Sequence, residues 1–135
     1  MISSLTGPGK RGHHTFRGPA NLQSLDLSNN VLTKLPNRTF GDLKHLVELQ
    51  VSSNKLQHID SGAFHGLGRL RMLHLDNNLL EVLDKEWLSP LMSLRFLYLS
   101  DNRFSQLAAS TFKPLMALRV VDLHSNRLVQ VCSLS

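Results

Sequence analysis

Residues 22–117 read LQSLDLSNNVLTKLPNRTFGDLKH, LVELQVSSNKLQHIDSGAFHGLGR, LRMLHLDNNLLEVLDKEWLSPLMS and LRFLYLSDNRFSQLAASTFKPLMA, four units of 24 residues that start at Leu22, Leu46, Leu70 and Leu94. A fifth unit, LRVVDLHSNRLVQVCSLS, starts at Leu118. Seven positions of the first unit are apolar, Leu22, Leu25, Leu27, Leu32, Leu35, Phe40 and Leu43, and the next three units match them without exception. Independent placement at 41% hydrophobic content would give this agreement with a probability on the order of 1 in 10^11. A strict period of this length means that each unit is a small module unable to bury its own apolar face, so that neighbours stack and share one continuous core.

One polar column is just as regular. Asn30, Asn54, Asn78, Asn102 and Asn126 lie 24 residues apart. An asparagine side chain donates and accepts at once, so stacked copies can satisfy the N–H and C=O groups of the turns that leave adjacent strands. These five residues read as a structural asparagine ladder. A further column, Phe16, Phe40, Phe64, Leu88 and Phe112, is expected to stack as a spine that fills the wider part of each coil, with Leu88 beside Trp87 as its one departure.

The pattern LxxLxLxxNxLxxLxxxxFxxLxx resembles the 24-residue "typical" leucine-rich repeat, over roughly residues 16–135. That subtype is found in extracellular proteins such as Toll-like receptors, Slit proteins, glycoprotein-hormone-type receptors and neuronal adhesion proteins. The resemblance implies an α/β solenoid, a segment of a horseshoe, with short parallel β-strands on the concave face and irregular or short helical loops on the convex face. It is specific for fold and says little about ligand.

The repeat divides the chain into a non-repeat leader over 1–15, the tail of a truncated unit over 16–21, four full units over 22–117 and a partial fifth over 118–135. The leader, MISSLTGPGKRGHHT, has a disordered composition, and it lacks the apolar stretch and small-residue cleavage site of a signal peptide. His13 and His14 read as part of that leader rather than as metal ligands. Neither end shows an atypical capping unit. Disulfide-bonded caps of extracellular relatives need paired cysteines, whereas Cys132 stands alone; it reads as a thiol at a truncated end, with a cap remnant or an intermolecular bridge as the alternative. The expectation is a fragment or splice form of a longer receptor-like protein.

At 135 residues the chain is one domain's worth of sequence, and no stretch is apolar for long enough to span a membrane. The formal charge is +5, but Lys10, Arg11 and Arg17 supply three of those charges, which leaves +2 on the array and argues against a nucleic-acid surface. No glycine-rich phosphate loop, HExxH, GxSxG or CxxC occurs, and the serines, histidines and aspartates fall at solvent-facing positions whose period is set by packing. No enzyme, no cofactor and no metal site are expected.

Between the leucines, side chains alternate outward and form a grid on the concave face, one row per unit, about 5 Å apart. The grid holds Asp26, Glu48, Asp76, Asp101 and Asp122 but neither Lys nor Arg. Met72, His74, Phe96, Tyr98 and Val120 cluster in three adjacent rows where the core does not need them, the pattern of an interface hot spot with a polar rim that includes Asp122 and His124. The alternative is that Phe96 and Tyr98 merely pack on each other. Beside the grid, Arg71, Arg95 and Arg119 form a column of like charge, with Arg103 and Arg127 on the turns after the ladder. Either the acidic grid answers that column locally, or it meets an acidic ligand such as a sulfated glycan or an acidic protein loop. Asn37-Arg38-Thr39 is the one N-glycosylation sequon.

The function this supports is a non-enzymatic interaction module that recognises a protein ligand or co-receptor through its concave face. By resemblance it belongs outside the cell or at the cell surface; without a signal peptide, a complete chain of this sequence would be intracellular. The rival readings are a matrix or glycan-binding structural protein, and a truncated form with no independent activity.

Overall fold

The computed structural model describes residues 21–131 apart from 109 and 129, so the expected leader, Phe16 and Cys132 lie outside the described residues. Each unit opens with a three-residue strand: β1 (Ser24–Asp26), β3 (Glu48–Gln50), β5 (Met72–His74), β6 (Phe96–Tyr98) and β8 (Val120–Asp122). They form one parallel sheet in the order β1-β3-β5-β6-β8. Leu25, Leu49, Leu73, Leu97 and Val121 are register partners, because every unit repeats the same spacing. Within each of the first four strands the central leucine is buried and its neighbours are half-buried, the alternation that a pleat imposes.

The asparagine ladder joins the turns that follow these strands. Asn78 Nδ2 donates to the carbonyls of Val51 in the preceding unit and of Leu75 and Asp76 in its own, at 3.0, 3.1 and 3.2 Å. Its Oδ1 accepts from the Leu56 N–H at 3.0 Å. Asn54, Asn102 and Asn126 make the same set in their own units, and Asn30 donates to the carbonyls of Leu27 and Ser28. The residue before each ladder asparagine is left-handed: Asn29, Ser53, Asn77, Asp101 and Ser125 have φ between 55 and 61°. Short polar side chains tolerate that conformation best, which explains why this column holds only Asn, Ser and Asp.

Behind the sheet, Phe40 and Phe64 stack with centroids 6.2 Å apart and planes within 6°. Phe64 then meets Trp87 edge-on at 5.5 Å. Both Trp87 and Leu88 are buried, so the spine takes the two residues together. Trp87 belongs to a second buried column whose other members, Thr39, Ala63 and Thr111, are small.

A minor ladder on the far edge pairs β2 (Lys34–Leu35) with β4 (His58–Ile59), and β7 (Gln106–Leu107) with β9 (Gln130–Val131). The third unit breaks it. There Asp84 caps a single helical turn, α1 (Lys85–Leu88), by accepting from the Glu86 N–H at 2.8 Å, and this is the one helix among the described residues. The break leaves a cleft of about 470 Å³ between Gln57, His58 and Ile59 on one side and Leu80, Val82 and Trp87 on the other. The fold is therefore a parallel-strand solenoid with almost no helix. In the fifth unit Val121 and Leu123 are only half-buried, whereas Leu73 and Leu75 are fully covered.

Candidate functional site

The expected anchors come together because β5 and β6 are in register. Met72 is partnered by Phe96 and His74 by Tyr98. The next strands put Glu48 beside Met72, Gln50 beside His74, Val120 beside Phe96 and Asp122 beside Tyr98. The four anchors are half-buried, and Val120 is 43% exposed. His74 and Tyr98 stack at 4.6 Å with planes 18° apart, while the edge of the imidazole meets Glu48 Oε2 at 3.1 Å. The ring partner of Tyr98 is thus the histidine of the preceding strand, and Phe96 and Tyr98 make no ring contact with each other among the described residues.

Glu48 fixes the imidazole edge, and Asp122 Oδ1 takes the Nδ1 edge of His124. The hydrogen bond from the His124 side chain, followed by that from its backbone N–H, holds the Asp122 carboxyl below the usual carboxylate range. Conversely, the hydrogen bond to Asp122 and then its charge raise His124 above the usual imidazole value. The sign follows from the two directions. The His124 contribution is present below its unfolded pKa and fades as pH rises through the raised one; that of Asp122 is present above its unfolded pKa and fades as pH falls through the lowered one. In an NMR titration His124 should protonate at higher pH than an ordinary histidine, and Asp122→Asn should remove most of that shift, since only the charge of Asp101 then still raises it.

The Arg column is not answered by the grid. Among the described residues no carboxylate lies within ion-pair distance of Arg71, Arg95 or Arg119. Four of the five grid acids have partners of their own: Asp76 accepts from Ser52 Oγ at 2.7 Å, Asp26 from the Ser28 N–H at 2.9 Å, and Glu48 and Asp122 from the two histidines.

Asn37 is exposed on the loop after β2, outside the concave sheet. Its Oδ1 accepts from the Gly62 N–H at 2.8 Å and its backbone N–H donates to Asp60 Oδ2 at 3.0 Å, so it clasps two units. An amide-linked sugar on Nδ2 would leave that acceptor free to bond. Any Cβ at position 62 would stand 2.8 Å from Asn37 Oδ1. Gly62→Ala should therefore open the clasp and cost about 1–2 kcal/mol in a urea melt, whereas Gly68→Ala, with open space around it, should be near neutral.

Sequence reasoning did not single out two flank residues, Met92 and Met116, which are 56% and 82% exposed. They occupy one repeat position whose other members are Lys44 and Gly68, and that lack of apolar company was the available signal. It also missed the left-handed column, although its restriction to Asn, Ser and Asp is visible in the sequence.

The leucine-rich repeat family model matches residues 11–56 and 44–104. The chain belongs to the leucine-rich repeat family. No curated relative matches it in sequence. Among solved structures, this leucine-rich repeat chain is similar to the TLR13 chain of a TLR13-ssRNA13 crystal structure, with 32% identity over 84% of the chain and a TM-score of 0.76. It is also similar to a chain of the Drosophila Toll-Spatzle complex, with 27% identity over 82% and a TM-score of 0.75. The matches span only 15% and 14% of those longer chains.

Proposed function

We propose that this leucine-rich repeat array is a recognition segment of a receptor or adhesion-type protein, binding a protein ligand or co-receptor on the concave floor. Met72, His74, Phe96 and Tyr98 are its anchors, and Asp122 and His124 form the polar rim. The observation that carries the reading is the in-register pair of strands presenting four half-buried apolar and aromatic side chains at positions the core does not use. A ligand that inserts an apolar knob ringed by basic groups meets both the patch and the surrounding acids. The proposal includes a site outside the cell or at its surface, a glycan on Asn37, and no catalytic step. No helix among the described residues is long and apolar enough to cross a membrane.

One similar structure is of a receptor held with single-stranded RNA, which makes nucleic acid the second reading. Against it stand the five carboxylates of the grid, which repel phosphate. The test installs a photo-crosslinking phenylalanine analogue at position 96 or, as a control, at exposed Ser61, in the full chain presented on cells. The expected result is a saturable protein adduct from position 96 alone, competed by wild-type chain and not by the Phe96→Ala/Tyr98→Ala variant. Adducts equal at both positions, competition by the double variant, or an RNA adduct in place of protein would overturn it.

A further inference from the structure

We propose a second binding site on this molecule: the flank that leads into the strands holds a linear sulfated polysaccharide laid along the solenoid axis. Arg71, Arg95 and Arg119 immediately precede β5, β6 and β8, and those strands are in register. The backbones of the column are themselves bonded, Arg95 N–H to the Arg71 carbonyl and Arg119 N–H to the Arg95 carbonyl, each at 2.9 Å. The three side chains therefore repeat at one inter-strand step, about 4.8 Å. None has a carboxylate partner among the described residues. Stacked like charges with nothing between them raise the energy of the free protein, and a polyanion relieves that.

The basic character extends beyond the column. The four equivalent segments, Leu43 to Val47, Leu67 to Arg71, Leu91 to Arg95 and Leu115 to Arg119, read LKHLV, LGRLR, LMSLR and LMALR and contain no Asp or Glu. Lys44 and His45 start the flank, and Arg69 Nη1 donates to His45 Nδ1 at 2.8 Å across the unit boundary. The acids lie on the concave grid and on the opposite loops, except for exposed Asp42, which stands just before Leu43 at the first-unit end of the flank, away from the three arginines. Charge is thus segregated across the strands, basic where the chain enters them and acidic on the floor.

The row runs along the axis, which suits a linear polymer bearing anionic groups at short intervals. Guanidinium groups bind sulfate oxygens through paired N–H donors. Single-stranded nucleic acid would also want large aromatic rings for its bases, and these four segments contain no Phe, Tyr or Trp. The site is independent of the concave-floor reading, since it shares no residue with it.

The test measures binding of the full chain to heparin-derived oligosaccharides, for wild type and for the Arg71→Gln/Arg95→Gln/Arg119→Gln variant. Lys10, Arg11 and Arg17 remain in both, so the difference reports the flank. The expected result is at least a tenfold loss of affinity in the triple variant, a steep salt dependence in wild type, no binding of the desulfated polymer, and unchanged affinity in Phe96→Ala/Tyr98→Ala. Arg119→Glu alone should weaken binding as well, which covers the case in which the triple variant folds poorly. Equal affinity of wild type and variants, equal binding of the desulfated polymer, or tighter binding of a single-stranded oligonucleotide or an acidic peptide of matched charge would overturn the proposal.

Discussion

Replacing Asn78 by alanine is expected to cost about 2–4 kcal/mol, because it strands the buried N–H of Leu56 and takes one amide donor from the carbonyls of Val51 and Leu75, which keep those of Asn54 and Asn102. An effect of that size removes a large fraction of a typical domain's stability. Asn126→Ala deletes the equivalent bonds, but Asn126 is half-buried and water can replace part of what is lost, so about half the effect is expected there. Chemical denaturation of both variants checks the ranking. Equal costs would mean that the ladder's value does not depend on burial.

Phe64→Ala is expected to cost about 3–5 kcal/mol. Phe64 is fully buried between Phe40 and Trp87, and its removal leaves a void that two rigid rings cannot collapse into. The loss should appear as lower stability with no change in far-ultraviolet circular dichroism at low temperature. Phe112→Ala, at the same repeat position but only half-buried, should cost visibly less.

The period of 24 made the architecture legible, since one spacing fixes the strand, the ladder and the spine in every unit. Leu25, Leu49, Leu73 and Leu97 could be placed in the core, and as neighbours, before any coordinates. The concave cluster was legible for the same reason: register follows from the repeat, so Met72 had to face Phe96 and His74 had to face Tyr98. Contacts that depend on side-chain conformation rather than on period were not legible. Tyr98 has equal access in sequence to Phe96 and to His74, and only the geometry selects the imidazole. The Arg column showed its charge but not its isolation: Asp76, Glu48 and Asp122 bond to Ser52, His74 and His124, and among the described residues no grid acid reaches the arginines. The local break at α1 lies in a few residues, Asp84 to Leu88, whose capping chemistry competes with the period and wins once.

Methionine methyl NMR addresses the central claim directly, because Met72 lies on the concave floor and Met92 and Met116 lie on the flank. The labelled full chain would be titrated with the protein ligand recovered by crosslinking at position 96. The account predicts that the Met72 methyl resonance shifts or broadens while those of Met92 and Met116 hold still. Perturbation of Met92 and Met116 with Met72 unmoved would contradict recognition by the concave floor.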